Sequence, residues 1–276
     1  MPGAHRPDDR ALTVDPGAEA FFAGLDVAGA RRELVAVGGT LEPATLRAAY
    51  RAGCFPWPPS GRWAAALARS SRRLVRGGQV PGLPGADPAT PWCSPEPRAV
   101  LLPGSLRVSR SLRRRLRSCG WETTVDAAFD RVLDGCADRD ETWITARMRA
   151  AYLGLHREGG AHSVEVWDGG RLVGGLYGVL TGRVFSGESM FHVETDASKV
   201  ALVDLVDRMQ QGGVVLLDTQ QQTEHMTSLG QVVVARADYV AAVHALRDLP
   251  AALPTDRRPV QRLVRPPEQD QAAVVG

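Results

Sequence analysis

The sequence predicts an α/β protein with a small N-terminal domain and a larger C-terminal domain on a mixed, largely antiparallel sheet. Hydrophobic residues make up 44% of the 276-residue chain, which is enough for a sizeable buried core. Apolar and polar residues alternate with period two across residues 162–191, a pattern typical of strands. On both sides of that segment the apolar residues return at helical spacing. We therefore expect a meander of strands between helices.

The chain divides into four predicted segments. Residues 1–18 are polar and rich in Pro and Gly, and we expect them to be disordered. Residues 19–94 form the predicted small domain, which carries an insertion or linker at about 58–91 with a short helix near Trp63 to Val75. Residues 95–253 form the larger domain, and residues 254–276, rich in Arg, Pro and Gln, a disordered tail.

The small domain begins with a short apolar element and a helix. The run ELVAVGG from Glu33 ends in paired glycines, and PATLRAAYRAG after it has the apolar spacing of an amphipathic helix. That helix should end at Gly53, because a residue without Cβ can adopt the left-handed cap conformation. Phe55, Pro56 and Trp57 then give an aromatic pair held rigid by proline.

The larger domain begins with a strand and an arginine-bearing helix. VLLPGSLRVSRSLRRRLRS starts as a strand, and Arg110, Arg114 and Arg117 then share one helix face because they are spaced i, i+4 and i+7. Helical periodicity returns at residues 126–136 and 146–158. The alternating segment follows, with turns at 168–170 and 181–182, and predicts an antiparallel meander.

The last elements complete the order of the larger domain. A helix from about Asp196, a good N-cap candidate, runs through Met209 and ends at Gly212 and Gly213. GVVLLD is then a short buried strand, and residues 237–249 form a final helix. Helices, three antiparallel strands, helix, strand and helix is the order of an acetyltransferase-like (GNAT-like) domain. A fold alone does not name the chemistry.

Composition argues against several classes of protein. No stretch approaches the ~20 uninterrupted apolar residues of a membrane-spanning helix, and the N-terminus lacks the apolar core of a signal peptide. We therefore expect a cytoplasmic protein with no membrane partner. The four cysteines form no CxxC pair, so we expect neither a disulfide framework nor a zinc site, and we predict no bound metal.

The net charge of +2 hides clusters of arginine. Five arginines fall within residues 110–117, and the segment 61–86 contains five more and no acidic residue. Lys199 is the only lysine among the 33 basic residues. Clusters of this kind favour a phosphate-bearing partner.

The turn before the central helix argues against coenzyme A. An acyl-CoA transferase of this fold needs a glycine-rich turn there, so that backbone amides can hold the pyrophosphate. The turn here is FHVETDAS, residues 191–198, with no glycine and two acids that repel a diphosphate. No cofactor is predicted.

Eight motifs, in this order, resemble those of the leucyl/phenylalanyl-tRNA–protein transferases. They are FPW at 55–57, SPEPR at 94–98, WITARMRAAY at 143–152, HSVEVW at 162–167, LVGGLYGV at 172–179, FSGESMF at 185–191, ASK at 197–199 and LLDTQ at 216–220. The similarity runs from about residue 33 to 243, apart from the insertion. It implies an acetyltransferase-like second domain. It also implies transfer of leucine or phenylalanine from aminoacyl-tRNA to the amine of a protein beginning with Arg or Lys, which would mark that protein for degradation.

The resemblance implies a catalytic pair after the last inner strand. Asp218 and Gln220 match it, and residues two apart on a strand point to one face. The ester that links the amino acid to the tRNA is already activated. The α-amine of the acceptor, with a pKa near ~7.7 to 8.0, is partly neutral, so neither metal nor covalent nucleophile is required. We hypothesise that Asp218 accepts or orients the amine proton while Gln220 fixes the geometry. Glu188 resembles a further active-site acid that meets an ammonium or a ribose hydroxyl. Alternatively, Asp218 is only a turn residue, and Gln220 and Glu188 are solvated.

The resemblance also implies binding residues, although core packing or a solvated surface would explain each one singly. The positions that line the pocket for the donated side chain are Leu176, Phe185, Ser186, Gly187, Met190, Leu202 and Leu205. Trp57 and Trp143 fall near the acceptor or adenosine end. Arg110, Arg114 and Arg117 occupy positions of a basic patch that receives the tRNA acceptor stem, where backbone contacts give affinity without reading sequence.

The chain also departs from the family pattern. Thr40 replaces an acid, Glu141 a glycine, Cys93 an aromatic residue and Ser118 a basic one, and the insertion and the polar stretch 221–224 are foreign to it. These departures concern the acceptor more than the donor. Two alternatives therefore stay open: transfer to a small-molecule amine or hydroxylamine in specialised metabolism, and tRNA binding without catalysis. Retention of all three catalytic-site residues argues against the second.

Overall fold

The computed structural model describes residues 15–58, 63–86, 89–139 and 142–264, which form two compact units. The first unit comprises the residues up to Ser94 together with Trp143–Ala161. The second comprises Pro95–Thr142 and the residues from His162 onwards. The predicted α/β class with a small first part is confirmed. The segment 143–161, expected in the larger domain, belongs to the small one instead.

Helices and strands follow the predicted order, with several short strands added. The helices are α1 (Pro16–Ala23), α2 (Pro43–Arg51), α3 (Trp63–Arg76), α4 (Arg110–Ser118), α5 (Phe129–Ala137), α6 (Ala146–Arg157), α7 (Ala197–Gly212), α8 (Glu224–Ser228) and α9 (Arg236–Leu246). The strands are β1 (Leu34–Gly38), β2 (Phe55–Pro56), β3 (Gly82–Leu83), β4 (Pro91–Cys93), β5 (Arg98–Leu101), β6 (Glu122–Val125), β7 (Ala161–Asp168), β8 (Arg171–Thr181), β9 (Val184–His192), β10 (Leu216–Gln220), β11 (Val232–Val234) and β12 (Arg258–Pro259). Single 3-10 turns occur at Pro103–Ser105 and Val260–Leu263.

The first unit contains a sheet in the order β2-β4-β1-β3. Its helix α2 ends as predicted, with Gly53 at a φ of +82° directly after the cap. The insertion is not merely a linker, because β3 pairs in parallel with β1. Helix α1 begins within the segment expected to be disordered, because Asp15 accepts hydrogen bonds from the first-turn N–H groups and Phe22 is buried. The remaining predicted N-terminal disorder, residues 1–14, lies outside the described residues, as does Glu141.

Helix α6 joins the first unit because it packs on α2. The hydroxyl groups of Tyr50 and Tyr152 lie 2.7 Å apart in the buried interface. A Cβ on Gly154 would lie 2.7 Å from the Pro43 ring, so glycine permits the close approach of the two helices. Sequence periodicity found this helix but could not assign it to a unit.

The second unit contains a sheet in the order β11-β5-β10-β9-β8-β7-β6-β12. The predicted meander is confirmed as β7, β8 and β9, and α7 then crosses over to β10, which runs parallel to β9. Asp196 stands at the N-cap position of α7 as predicted, but it has a φ of +72° and makes no side-chain capping bond. A Cβ on Gly174 would lie 2.6 Å from that of Ala197, so glycine lets α7 lie directly on the sheet.

The segment after residue 253 folds back onto the second unit, so the predicted disorder from 254 is wrong as far as residue 264. β12 extends the sheet by pairing with β6. The fully buried Arg208 donates to the carbonyls of Pro254 and Asp256 and pairs with Asp204 at 2.7 Å. Residues 265–276 lie outside the described part. In the part that is described, no helix has the length and apolarity needed to cross a membrane.

Candidate active site

Two neighbouring strands separate at the point where the predicted catalytic residues lie. The parallel pairing of β9 and β10 ends at the Ser186–Asp218 pair, although β9 continues to His192 and β10 to Gln220. Strands that stop pairing leave a gap in the sheet, and a bulge is the usual way to redirect side chains there. Both strands carry one.

The bulge in β9 isolates Glu188. Ser189 faces Tyr177 and Gly187 faces Gly178, so Glu188 between them is the extra residue of the bulge. A Cβ on Gly178 would lie 2.3 Å from the Ser186 carbonyl oxygen, so only glycine fits opposite this bulge. The half-buried Glu188 is thereby turned out of the regular alternation.

The bulge in β10 isolates Thr219 and ends in a left-handed residue. Asp218 faces Val100 and Gln220 faces Ala99 on β5, so Thr219 is the extra residue. Gln220 has a φ of +64°, which is uncommon for a residue with a side chain. The simple alternation that would put Asp218 and Gln220 on one face is therefore broken.

A cavity of about 250 Å³ opens in this gap. Its lining residues come from β8, β9, α7, β10 and α8 and from the loop after α5; they are Arg139, Leu176, Tyr177, Gly187, Glu188, Ser189, Met190, Leu202, Leu205, Leu217, Thr219 and Met226. One water occupies about 30 Å³ in the liquid, so the cavity has room for a group several times larger than one water. The walls are mostly apolar, and Glu188 stands among them as an acid.

Asp218 lies outside this cavity, in a closed ionic cluster. Arg98 donates to both carboxylate oxygens, at 2.8 and 2.6 Å, and both side chains are fully buried. The Tyr239 hydroxyl donates to one oxygen at 2.8 Å and the Gln220 backbone N–H to the other at 2.9 Å. Burial is the main reason that the pKa of Tyr239 is raised. Asp218 is thus fully buried and accepts hydrogen bonds from Arg98, Tyr239 and the Gln220 backbone.

Gln220 connects the cluster to the cavity. Its backbone is held by Asp218, and its side-chain Nε2 donates to Glu188 Oε1 at 2.7 Å. Both side chains are half-buried. Asp218 thus contacts the Gln220 backbone, and the Gln220 side chain contacts the acid at the cavity. The sequence hypothesis about their roles stays a prediction.

A ring of polar groups surrounds Glu188. Tyr177 is fully buried, and its pKa is raised by burial and by the charge of Glu188. Burial also raises the pKa of the Cys136 thiol to about 12. Arg139 Nη2 donates to the Ser189 hydroxyl at 3.2 Å and to the Met190 carbonyl at 2.6 Å. A cation therefore stands close to the acid at one side of the cavity.

The predicted pocket residues divide into two groups. Leu176, Gly187, Met190, Leu202 and Leu205 line the cavity. The other two do not line it: Phe185 is fully buried in the core of the second unit, and Ser186 hydrogen-bonds Tyr239 on the side of the Asp218 cluster.

The predicted acceptor-side tryptophans both belong to the first unit. Trp57 is 41% exposed and lies 6.0 Å from the Phe55 ring, measured between centroids. Trp143 is half-buried in the turn before α6, where its carbonyl accepts from the Thr145 N–H. Both rings come from motifs on which the family resemblance rests.

Helix α4 presents the predicted basic face. Ser109 caps it by accepting from the Leu112 N–H, and Leu112 and Leu116 are buried. The predicted arginines Arg110, Arg114 and Arg117 are all exposed on this helix. The amphipathic pattern thus leaves the arginine face open to solvent.

Several residues of the site were missed by sequence reasoning. They are Arg98, Arg139, Tyr177, Thr219, Met226 and Tyr239. Arg98 could have been found, because an arginine inside an apolar strand needs a buried acid, and Asp218 ends the other short apolar strand. The rest carried no local indication. In the described ranges, no group of three or more His, Cys, Asp or Glu side chains could hold a metal ion.

Comparisons with known proteins identify what the chain is similar to. The family model described as leucyl/phenylalanyl-tRNA protein transferase matches residues 100–244, and the model of that family's N-terminal domain matches residues 39–63. A leucyl/phenylalanyl-tRNA–protein transferase of Stutzerimonas stutzeri is 45% identical over 223 residues, covering 79% of this chain and 87% of that protein. The protein of that name from Shewanella woodyi is 40% identical over 223 residues, covering 79% and 84%. That of Ruegeria pomeroyi is 53% identical over 153 residues, covering 55% and 73%.

Proposed function

The chain belongs to the leucyl/phenylalanyl-tRNA–protein transferase family, and we propose from this premise that it transfers leucine or phenylalanine from aminoacyl-tRNA to the N-terminal amine of a protein. The observation that carries the proposal is the apolar cavity with the Glu188–Gln220 pair at it. The acceptor is a protein beginning with Arg or Lys, and the reaction takes place in the cytoplasm. The comparisons give no support to the small-amine alternative.

The reaction exchanges an ester for an amide. The neutral amine attacks the ester carbonyl, a C–N bond forms, and the bond from that carbon to the 3′ oxygen of the terminal adenosine breaks. One proton passes from the attacking nitrogen to the departing oxygen, so the products are an amide and a free hydroxyl. Holding the two reactants in line contributes on the order of 7 kcal/mol. The apolar cavity does this by fixing the donated side chain.

Glu188 is the group that handles the proton. Its carboxylate accepts a hydrogen bond from the amine, which points the nitrogen lone pair towards the carbonyl, and then passes the proton to the adenosine oxygen. Gln220 Nε2 holds one carboxylate oxygen of Glu188 at 2.7 Å, which fixes the direction in which the acid meets the amine. Asp218 is a positioning residue, since it acts through the Gln220 backbone.

A transfer assay tests the function directly. The full chain is incubated with radiolabelled leucyl-, phenylalanyl- and other aminoacyl-tRNAs, with a peptide bearing N-terminal Arg, its N-acetylated form, or a panel of small amines. We expect label on the free peptide alone, from leucyl- and phenylalanyl-tRNA. Label on a small amine with none on the peptide would overturn the proposal.

Substitution of Glu188 by Gln tests the role of the acid. Loss of a proton carrier should lower kcat about 10² to 10⁴-fold. Glu194→Gln is the matched control, because that acid is paired with the exposed Arg171. Equal activity of both variants would exclude proton transfer by Glu188.

The arginine face of α4 is proposed to hold the acceptor stem. Each phosphate contact contributes about −0.9 to the slope of log affinity against log salt concentration on B-form DNA, and we expect a slope of similar size here. Replacing Arg110, Arg114 and Arg117 together by Gln should therefore make tRNA binding weaker and less salt-dependent. An unchanged slope would place the tRNA elsewhere.

A further inference from the structure

A second cavity of about 590 Å³ adjoins the first in the same unit. The two share Arg139 and Met190 as lining residues. Lys199 on the first turn of α7 and His225 on α8 also line the second cavity. The two cavities therefore meet at Arg139 and Met190.

Two cations of the second cavity can still bind a ligand. In the part of the chain that the structure describes, Arg139 forms no ion pair, and its recorded hydrogen bonds go to the neutral Ser189 hydroxyl and Met190 carbonyl. Lys199 donates one hydrogen bond, at 2.9 Å, to Asp196. Its ammonium has three donors, so two remain.

Two acidic residues, Asp138 and Asp196, line the second cavity. Asp196 lies between Lys199 and Arg115, whose Nε is 3.9 Å from its second oxygen, so its charge is shared by two cations. Asp138 is exposed at the rim. The pKa of His225 is lowered by burial and, to a smaller extent, by the charge of Lys199.

Composition singles out Lys199 independently. It is the one lysine among 33 basic residues, so arginine stands at every other cationic position. Lysine differs from arginine in carrying a compact point charge, which suits a single phosphate oxygen in a confined space.

We propose that this cavity is the subsite for a backbone phosphate at the 3′ end of the tRNA, bound by Arg139 and Lys199. The inference rests on the proposed function. When the aminoacyl group fills the first cavity, the sugar to which it is esterified stands at its mouth, and the phosphate of that sugar is the nearest anion. Arg139 at the junction and Lys199 beyond it lie along that path. An acceptor that begins with Arg or Lys is a poorer occupant of this second cavity, because Arg139 and Lys199 would repel its positive charge.

Two inert donor analogues provide the test. One is 3′-amino-3′-deoxyadenosine carrying leucine in amide linkage, and the other is the same molecule with a 5′-phosphate. Binding to the full chain is measured by calorimetry. We expect the phosphate to tighten binding by about tenfold or more, as charge-assisted hydrogen bonds do. Lys199→Gln should reduce that gain and leave affinity for the unphosphorylated analogue unchanged, because Lys199 lines only the second cavity. Arg139 lines both cavities, so Arg139→Gln should weaken binding of the phosphorylated analogue more than that of the unphosphorylated one. Arg131→Gln is the control, because that arginine stacks on Trp167.

The outcomes separate this inference from the function it rests on. A phosphate gain that both variants retain overturns the subsite. So does a result in which the variants impair only the use of the acceptor peptide, since the cavity would then bind the acceptor. If neither analogue binds the wild-type chain, the proposed function fails first. Lys199→Arg, which keeps the charge, should retain part of the gain if phosphate binding is the role.

Discussion

The buried Arg98–Asp218 pair gives the sharpest test of how the site is held. In Asp218→Asn one oxygen can still accept from Arg98 Nε and the Gln220 N–H, but an NH₂ group replaces the oxygen that now accepts from Arg98 Nη2 at 2.6 Å and Tyr239 at 2.8 Å. Two donors then face a donor, and a fully buried guanidinium loses its counter-charge.

The expected cost follows from that burial. Breaking a buried ion pair by removing one partner costs about 3–5 kcal/mol, because the remaining charge is left uncompensated. Arg98→Met should cost a similar amount, reduced by the two donors that Asp218 keeps. The double variant should cost clearly less than the sum, because it leaves no unpaired charge. Urea unfolding followed by tryptophan fluorescence gives the four free energies of the cycle.

Activity supplies the second readout. If Asp218 only positions Gln220, the folded Asp218→Asn variant should lose about 10²-fold in kcat, as expected for a displaced catalytic group, and keep the wild-type pH profile. A proton acceptor would instead alter that profile. The structural reasoning would be refuted if the losses in unfolding free energy of the two single variants added up to that of the double variant. A loss in unfolding free energy below about 1 kcal/mol for Asp218→Asn would refute it as well. A changed pH profile of kcat in Asp218→Asn would instead indicate that Asp218 itself takes part in proton transfer.

Three further predictions concern the cavity, a buried acid and the thiols. Met226→Ala should raise the ratio of phenylalanine to leucine transfer, because it enlarges the cavity. Discrimination between apolar side chains in such a pocket is about 1–3 kcal/mol. An unchanged ratio of the two kcat/KM values would show that this cavity does not bind the donated side chain. Burial raises the pKa of Glu165 above 4.5, so the folded state holds its proton more tightly than the unfolded chain does. The wild type should therefore lose stability relative to Glu165→Gln as pH rises from about 4.5 towards neutrality, and urea titrations that show the opposite sign would contradict this. Because the pKa of Cys136 is raised to about 12, iodoacetamide at about pH 8 should modify the half-buried Cys93 first, as mass spectrometry of the intact protein can show.

The sequence predicted the long elements of the fold because their patterns are local. The meander and α7 each carry enough repeats of one period to be read directly. Strands of two to four residues, such as β6 and β12, carry no period and exist only because a distant partner pairs with them. The return of residues 254–264 likewise depends on Arg208, a residue about 50 positions earlier in the chain whose partners no local pattern reveals.

The sequence identified residues of the candidate site, but it did not predict how their side chains are oriented relative to one another. Glu188 and Gln220 came from the family resemblance, and in the structure they are joined by a hydrogen bond. Period-two reasoning put Asp218 beside Gln220 on one face, and a bulge with a left-handed residue separates them. Bulges depend on which strand lies opposite, so a single sequence does not specify them. Arg139 and Met226 reach the cavity from other elements, for the same reason.

The site keeps its buried ion pair apart from the acid at the cavity, and this separation suits a reaction for which no cofactor is predicted. An activated ester and a partly neutral amine need alignment more than activation, so the useful property of the protein is rigidity. The strongest ionic contacts, those of Arg98 with Asp218, are accordingly behind the cavity wall and fix the backbone at Gln220. At the cavity itself the half-buried Glu188 accepts a hydrogen bond from the neutral Gln220 amide. Exchanging these positions would neutralise the acid with an arginine and remove its basicity, so the fixed ion pair and the reactive acid have to be separate groups.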